Sequence, residues 1–315
     1  MAPTTPARKK TTHNARDWRK ALRILEGAYA PGTIRAYKAD FAGFERWCQS
    51  VALNPLPARP STVAWFVEVD AQRSSASTLQ RRLAAIRKVH RLFRLENPVG
   101  DEEVLIAMRR ALRSKLQRPR QALGLTQDLR DQLIRACPDT LTGKRDRTLI
   151  ALGYDTLCRR AELVGLRVED LSIAQPGPGA TILIRRAKND PYGHGRQGYV
   201  SENTCKLLRS WLLAAKINEG WIFRRIRGDH VGRDALNPYS VNRILKFAAE
   251  AAKLPPRTVE GLSGHSMRVG AAQDMITSGL SVLSIMQAGG WRTINVVGRY
   301  VEKANLAALI NRARL

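Results

Sequence analysis

Apolar residues recur at helical spacing through the first third of the chain. After the helix-start signal Pro31-Gly32-Thr33, apolar side chains follow every three or four residues, at Ile34, Tyr37, Phe41, Phe44 and Cys48. The segment STLQRRLAAIRKVHRLFRL carries a second stripe, at Leu79, Leu83, Ile86, His90 and Phe93. Three prolines interrupt the chain between the stripes, Ser61-Thr62 opens another helix, and one more helix runs over 101–116. The pattern therefore predicts a helical first domain over residues 16–114.

A mixture of helical and strand-like patterns replaces this regularity in the second half. Helical periodicity predicts helices over 127–136 and 145–157, the second continuing into LCRRAELVGL. The β-branched run ATILIRRAK, residues 180–188, predicts a strand, and GYVSE predicts its partner across the loop NDPYGHGRQG. From Ser240 onward the pattern is helical again, with a break at Ser278-Gly279 that resembles a helix-turn-helix. This predicts a mainly α protein with a small β-sheet in its second domain.

The two patterns meet in a basic stretch without an apolar stripe, KLQRPRQALGLT. Its proline and glycine predict an interdomain linker over 115–125, so the second domain covers 126–315. Residues 1–15 are basic and rich in threonine, and we expect a disordered tail there. A length of 315 residues suits two domains of this kind.

The charge of the chain is strongly positive and is shared by both halves. The formal net charge is +26, with 24 Lys and Arg against 10 Asp and Glu up to Leu125, and 29 against 17 beyond it. Such an excess favours a polyanionic partner, most simply nucleic acid, because each neutralised phosphate releases a condensed counterion. We expect both domains to contact it.

Cysteine use and the amino-terminal sequence indicate the compartment. The four cysteines form no CxxC pair, which argues against a disulfide framework and a zinc site and fits a reducing environment. The first twenty residues have no apolar core like that of a secretory signal, and no apolar run reaches the roughly 18–20 residues that cross a bilayer. We expect a cytoplasmic protein, in a prokaryotic nucleoid or a phage-infected cell, without a membrane partner.

Several common catalytic motifs are missing from the sequence. It contains no GxxxxGK[ST], HExxH or GxSxG, and no acidic cluster with the spacing of a two-metal nuclease. If the chain cleaves a phosphodiester, we expect it to use side chains alone, with no metal and no nucleotide cofactor.

Candidates for that chemistry lie in the second half, and each has an ordinary structural interpretation when taken singly. The set in chain order is Arg159, Glu162, Lys188, His265, Arg268, Trp291 and Tyr300. Two arginines can hold the non-bridging oxygens of a phosphate, a tyrosine can attack phosphorus, and a lysine or histidine can protonate the leaving oxygen. Singly, an arginine is more often on a solvated helix face, a histidine a cap, and a tyrosine part of the packing.

As an ordered set, these residues resemble the tyrosine recombinase (phage integrase) family. The resemblance is dense in SGHSMRVGAAQDM and in SIMQAGGWRTINVVGRY, continues through YDTLCRRAEL, and extends from about residue 20 to 310. The nine-residue step from Trp291 to Tyr300 matches a pattern found in this family, as does tryptophan where many relatives carry histidine.

The resemblance implies a role for each candidate. Tyr300 would be the nucleophile that forms a 3′-phosphotyrosine, and Arg159 and Arg268 would hold the scissile phosphate. Lys188 would be the general acid for the 5′-oxygen, and His265 would assist proton transfer. Trp291 would complete the pocket and Glu162 would support it.

The resemblance also implies an architecture and partners. A helical core-binding domain and a mixed α+β catalytic domain would form a C-shaped clamp on double-stranded DNA. Four identical protomers would act on two sites with inverted repeats, through a Holliday junction. The amphipathic segment NLAALINRARL, residues 305–315, would dock into a neighbouring protomer.

Positions for DNA contact follow from the basic helix faces. In the first domain we predict DNA contacts at eight positions: Arg81, Arg82, Arg87, Lys88, Arg91, Arg94, Arg109 and Arg110. In NPYSVNRILKF, Asn242 and Arg243 are candidate base readers, by the usual asparagine–adenine and arginine–guanine pairings.

Two alternative functions are also compatible with the sequence. One is a related enzyme of the type IB topoisomerase kind or a telomere resolvase. The other is a non-cutting DNA-binding regulator built on the helix-turn-helix-like segment, which leaves the ordered set as coincidence.

Overall fold

The protein is described by a computed structural model that covers residues 17–115, 121–173, 179–185, 195–302 and 304. Its contacts divide the chain into two units, Met1–Arg120 and Gln121–Leu315. The predicted tail, Lys188 with most of its loop, and the predicted docking helix 305–315 lie outside the described residues.

Helices make up the described part of the first unit. The α-helices are α1 (Trp18–Ala21), α2 (Pro31–Ser50), α3 (Pro60–Ala71), α4 (Ala76–Leu92) and α5 (Glu102–Ser114), with short 3₁₀ turns at Leu22–Leu25 and Pro98–Gly100. Proline opens α2 and α3, where its missing N–H has no helical partner to lose. Ser75 and Asp101 cap α4 and α5 by accepting hydrogen bonds from backbone N–H groups of the first turn.

The predicted apolar stripes form the core of this unit. Phe41 and Phe44 of α2 are fully buried, and Phe44 meets Phe66 of α3 edge-on with ring centroids 5.0 Å apart. Leu79, Leu83 and Ile86 supply the facing stripe of α4. The prediction of a helical first domain is therefore confirmed.

The described part of the second unit contains helices and two small sheets. Its helices are α6 (Gln127–Ala136), α7 (Leu141–Asp155), α8 (Arg160–Val164), α9 (Glu202–Ala214), α10 (Ser240–Ala251), α11 (Pro256–Gly261), α12 (Ser266–Thr277), α13 (Val282–Gly289) and α14 (Ile294–Val301). Its strands are β1 (Leu171–Ile173), β2 (Gly179–Ile184), β3 (Arg196–Ser201), β4 (Arg224–Arg227) and β5 (His230–Ala235). Among the helices within the described ranges, none has both the length and the apolar character to span a bilayer.

Antiparallel pairing joins the strands. β1, β2 and β3 form one sheet in that order, and β4 and β5 form a separate hairpin. The predicted pairing across the NDPYGHGRQG loop is confirmed, with Ile182 opposite Gly198. β4 and β5 were not predicted, because their sequence RRIRGDHVGRDA offers few of the apolar or β-branched residues that mark a strand.

The end of the predicted linker belongs to the second unit. Leu123 N–H donates to Gly261 O and Leu125 N–H donates to Ser266 O, at 3.0 and 2.8 Å. Leu125 is fully buried, and a Cβ on Gly270 would lie 1.8 Å from its carbonyl oxygen. The predicted linker therefore ends too late, since Leu123 and Leu125 already pack with the second unit. Two leucines two positions apart form no helical stripe, so the apolar pattern did not indicate this packing.

Candidate active site

A break in the helix after α7 positions Arg159. Leu157 is fully buried with a left-handed φ of 51°, an unfavourable conformation for a branched side chain. The chain then extends through Arg159 (φ −68°, ψ 152°), which directly precedes α8. The predicted continuous helix through Arg159 is therefore wrong, because tertiary contacts, not local periodicity, impose the left-handed turn.

The carboxylate of Glu162 fixes the guanidinium of Arg159. Its Oε1 accepts from Arg159 Nη1 at 2.7 Å, and its Oε2 accepts from the Arg159 backbone N–H at 3.0 Å. The Glu162 side chain is only 4% exposed, whereas that of Arg159 is 23% exposed. The buried carboxylate thus holds Arg159 in place, and part of the guanidinium remains accessible to solvent.

Arg268 on α12 is the most deeply buried cation of the site. Its Nη1 donates to Leu157 O, and its Nη2 donates to Gly289 O at 2.6 Å. Among the described residues, its Nε has no hydrogen-bond partner. Burial, followed by the nearby charge of Arg159, lowers the pKa of Arg268 to about 10, so the group remains charged at neutral pH.

Two glycines let Trp291 fold back onto this guanidinium. Gly290 adopts a left-handed φ of 62° and ends α13, and a Cβ on Gly289 would lie 2.1 Å from the Trp291 ring. The indole therefore lies with its centroid 4.0 Å from Arg268 Cζ, a cation–π contact. Its Nε1 is buried and has no hydrogen-bond partner within the described part of the chain.

Tyr300 on α14 completes the cluster. Its ring centroid lies 4.8 Å from that of Trp291, 5.1 Å from that of His265 and 5.8 Å from Arg268 Cζ. The residue is half-buried, so the ring is packed while the site remains open to solvent. The phenol is thus held at a cluster of positive charge.

His265 lies at the start of α12 and keeps an exposed edge. Loss of water around the imidazole, together with the charges of Arg268 and Arg159, lowers its pKa to about 4. The turn before it is held by Asn242 of α10, whose Oδ1 accepts from Gly264 N–H at 2.7 Å. A neutral imidazole at pH 7 can accept a proton or a hydrogen bond next to the Tyr300 ring.

Arg196, the first residue of β3, belongs to the site but is not among the residues predicted from the sequence. Its Nη1 donates to Ala288 O at 2.7 Å, and its Nη2 lies 3.7 Å from Glu162 Oε2. This buried guanidinium therefore joins β3 to α8 and to the end of α13. Nothing in the local sequence GHGRQG distinguishes it from the many exposed arginines of the chain.

The structure brings six of the seven predicted catalytic residues together, and Lys188 is the one outside the described residues. The six are Arg159, Glu162, His265, Arg268, Trp291 and Tyr300. Within the described ranges, no group of three or more His, Cys, Asp or Glu side chains is arranged to hold a metal ion.

The predicted DNA-contact residues of the first unit fall into two groups. Five are already engaged with other side chains: Arg81 and Arg82 with the buried carboxylates of Asp40 and Asp70, Lys88 with the hydroxyl of Tyr29, Arg109 with Glu102, and Arg110 with Glu68. The contacts of Arg81 with Asp40 are bidentate, at 2.6 and 2.9 Å. These two arginines therefore stabilise the unit by compensating buried charge.

The other group is free to meet an anion. Arg87, Arg91 and Arg94 are exposed, and their guanidiniums form no ion pair with any described residue. Their spacing of four and three residues places Arg87 and Arg91 on one face of α4, with Arg94 just beyond its end. In the second unit, Arg243 is exposed, whereas Asn242 already uses its Oδ1 on Gly264.

Comparisons with known sequences cover both units. Residues 124–306 match the phage integrase family, and residues 17–97 match its N-terminal SAM-like domain. An integrase/recombinase xerD homolog of Selenomonas ruminantium is 33% identical over 91% of this chain and 86% of the relative. The recombinase cre of Escherichia phage P1 is 29% identical over 87% of this chain and 85% of the relative.

Comparisons with solved structures support the same fold. The XerH site-specific recombinase bound to a palindromic difH substrate has a TM-score of 0.64 and 15% identity, covering 95% of this chain and 83% of that one. A lambda integrase dimer bound to a COC′ core site has a TM-score of 0.61 and 15% identity, covering 90% and 76%. The chain therefore belongs to the phage integrase family of tyrosine recombinases.

Proposed function

We propose that the protein is a site-specific DNA recombinase that breaks and rejoins DNA through a 3′-phosphotyrosine formed by Tyr300. It acts as a homotetramer on two double-stranded sites with inverted repeats, through a Holliday junction, and needs neither metal nor ATP. One observation carries the proposal: the Tyr300 ring lies 5.8 Å from the guanidinium carbon of a fully buried arginine and 5.1 Å from the ring of a neutral histidine.

The bonding changes of the cleavage step follow from this arrangement. The Tyr300 oxygen attacks phosphorus, the bond between phosphorus and the 5′-oxygen breaks, and the DNA keeps a phosphotyrosine at its 3′ end. Neutral His265 accepts a hydrogen bond or a proton from the phenol as it becomes an ester oxygen. The departing 5′-oxygen takes a proton from Lys188, which we assign on the family resemblance.

Arg159 and Arg268 stabilise the charge that develops on the non-bridging oxygens. Arg268 gives one N–H of each Nη atom to a backbone carbonyl, so its Nε N–H and the second N–H of each Nη are the donors left for an anion. Arg159 faces solvent and offers the donors that Glu162 does not use. Preorganised cations of this kind lower the barrier because they need no rearrangement when charge appears.

Both units contribute to DNA binding in this proposal. Arg87, Arg91 and Arg94 contact the phosphate backbone from α4, and Arg243 lies on the exposed face of α10, the candidate base-reading helix. Arg81 and Arg82 act indirectly, by fixing α4 against α2 and α3 through Asp40 and Asp70. This separates residues that bind DNA from residues that shape the surface.

Selection of cleaved sites from a random DNA pool, followed by covalent trapping, tests the proposal. The selected duplex is nicked near the cleavage position, so that the short 5′-hydroxyl fragment diffuses away and the adduct accumulates. We expect an SDS-resistant protein–DNA adduct that survives excess EDTA and disappears in Tyr300→Phe with unchanged DNA affinity. Tyr239→Phe is the matched control, because Tyr239 is an exposed tyrosine whose ring lies against Arg160, and phenylalanine keeps that ring.

The outcomes separate the alternatives. Inverted repeats around a short spacer among the cleaved sites support recombination between paired sites. Relaxation of supercoiled DNA by single protomers without such repeats points to a topoisomerase-like enzyme. Sequence-specific binding without any adduct points to a regulator, and an adduct that persists in Tyr300→Phe removes Tyr300 as the nucleophile.

A further inference from the structure

The last turn of α14 carries the nucleophile proposed above, and its carbonyls find partners outside the helix. The final four carbonyls of an α-helix lack intrahelical donors. Here Val301 O accepts from Ala304 N–H at 2.8 Å, which satisfies one of them locally. Arg299 O accepts from the side-chain amide of Gln121 at 2.5 Å, and Tyr300 O accepts from that of Gln273 at 3.3 Å. Two glutamines therefore cap the nucleophile helix from elsewhere in the unit.

Gln273 is held in a confined space on α12. The residue is 6% exposed, and it lies five positions after Arg268 on the same helix. A Cβ on Gly124 would lie 2.1 Å from Gln273 Oε1 and 2.9 Å from its Cδ. The side chain can reach Tyr300 O in this position only because residue 124 is a glycine.

The segment that carries Gly124 and Gln121 is itself fastened to α12. Leu125 N–H donates to Ser266 O at 2.8 Å, and Gln127 N–H donates to Asp274 Oδ2 at 2.7 Å. The close approach at Gly270 lets the segment lie directly on the helix backbone. Both glutamine amides thus act from one rigid assembly, which consists of α12 and residues 121–127.

We propose that Gln273 and Gln121 are positioning residues that orient the Tyr300 phenol by holding the backbone of its helical turn, and that Gly124 makes room for Gln273. The inference rests on the proposed role of Tyr300 as nucleophile. Gln273 makes no hydrogen bond to Arg159, His265 or Arg268, so it acts on the nucleophile and leaves the phosphate pocket intact. A displacement of about 1 Å at a reacting group can cost on the order of 100-fold in rate.

The first test is the substitution Gln273→Glu. It keeps the shape of the side chain but replaces the donating amide by an oxygen, which repels Tyr300 O. On saturating nicked DNA we expect the rate of adduct formation to fall about 10- to 100-fold, with DNA affinity within about twofold of the unchanged protein. Gln132→Glu is the matched control, since Gln132 is exposed on α6, and we expect it to keep the full rate.

Gly124→Ala tests the same contact from the other side. The added methyl displaces the end of the Gln273 side chain, and we expect a loss of rate similar to that of Gln273→Glu. In a Gln273→Ala background no side-chain end remains to be displaced, so Gly124→Ala should change the rate less than about twofold. Equal effects of Gly124→Ala in both backgrounds would overturn the assignment.

A further measurement distinguishes positioning from a general loosening of the site. In Tyr300→Phe, added hydrogen peroxide supplies a small nucleophile that can attack the phosphate held by the arginines. If that peroxide-dependent cleavage is measurable, Gln273→Glu should leave its rate unchanged, and a parallel loss would place the fault in the phosphate pocket. If it is not measurable, the positioning role requires instead that Gln273→Glu and the unchanged protein have equal melting temperatures, and a lower melting temperature would indicate a loosened site.

The roles of Tyr300 and Gln273 are tested by separate measurements. If the unchanged protein forms an adduct that Tyr300→Phe abolishes, the nucleophile is established whatever Gln273→Glu does. A Gln273→Glu protein that then reacts at the full rate refutes only the positioning role.

Discussion

Replacing Glu162 by glutamine tests the electrostatic design of the site. The carboxylate is nearly buried and binds Arg159 through one hydrogen bond to each oxygen, and Arg196 Nη2 lies 3.7 Å from its Oε2. Glutamine keeps the shape but removes the negative charge that these guanidiniums share. We expect Glu162→Gln to destabilise the DNA-free protein, because it leaves partly buried positive charges without compensation.

The structure sets the magnitude of the effect. Removing one partner of a buried ion pair costs about 3–5 kcal/mol. Arg159 retains some solvent access, and glutamine still offers one acceptor oxygen, so we expect the lower end, about 3 kcal/mol. For a unit of this size, that corresponds to a decrease of roughly 6–12 °C in Tm.

Thermal unfolding with and without the selected DNA measures the loss of stability and shows whether a bound phosphate compensates for it. A bound phosphate places negative charge beside Arg159 and Arg268, so the difference in Tm between Glu162→Gln and the unchanged protein should shrink when DNA is present. Glu202→Gln is the matched control, because it removes a carboxylate from an exposed, solvent-screened pair with Lys206 and should leave the Tm nearly unchanged. Equal losses of stability in Glu162→Gln and Glu202→Gln would refute the assigned role of the Glu162 carboxylate.

Two other predictions follow from the site and from the first unit. Because the pKa of His265 lies at about 4 in the folded protein and near 6.5 when unfolded, the unfolded chain binds more protons between these values. The contribution of neutral His265 to stability should therefore be lost as the pH falls from about 6.5 to about 4. Over this range, the urea midpoint of His265→Gln should decline less than that of the unchanged protein. Parallel curves for the two proteins would contradict the assigned pKa. Arg91→Ala should lower the slope of the salt dependence of DNA binding by about one unit with an unchanged Tm. Arg81→Ala should lower the Tm, because it removes the bidentate partner of the buried Asp40 carboxylate and leaves only Arg82 at 3.9 Å. Fluorescence anisotropy over a range of KCl concentrations and thermal unfolding measure the two effects, and an exchange of the two results would show that Arg81 meets DNA directly.

Periodicity predicted the elements whose stability comes from one buried face. The stripe from Ile34 to Cys48 lies on α2, and the β-branched run before Lys188 became β2. These predictions succeeded because a buried face imposes its repeat on the local sequence. The order of the catalytic set along the chain similarly indicated the family before any geometry was known.

What the sequence did not reveal depends on contacts between distant segments. Leu157 adopts a left-handed conformation that no local sequence signal indicates. The helix that the sequence predicts through Arg159 is therefore interrupted before this residue. Arg196 and Gln273 each donate to backbone carbonyls of residues far along the chain. A backbone carbonyl is present at every residue, so such a contact leaves no characteristic residue type at its accepting end.

Hydrogen bonds to backbone carbonyls explain how the site keeps its positive charge in the absence of DNA. In the part of the site that the structure describes, three guanidiniums, those of Arg159, Arg196 and Arg268, surround the single carboxylate of Glu162. Arg268 and Arg196 donate instead to carbonyl oxygens at the end of α13 and just after α7. A carbonyl dipole stabilises a cation without cancelling its charge, and the negative end of a helix adds to this effect. A second carboxylate would satisfy the same hydrogen bonds but would neutralise the site and repel the substrate, so neutral acceptors are what allows buried arginines to remain available to DNA.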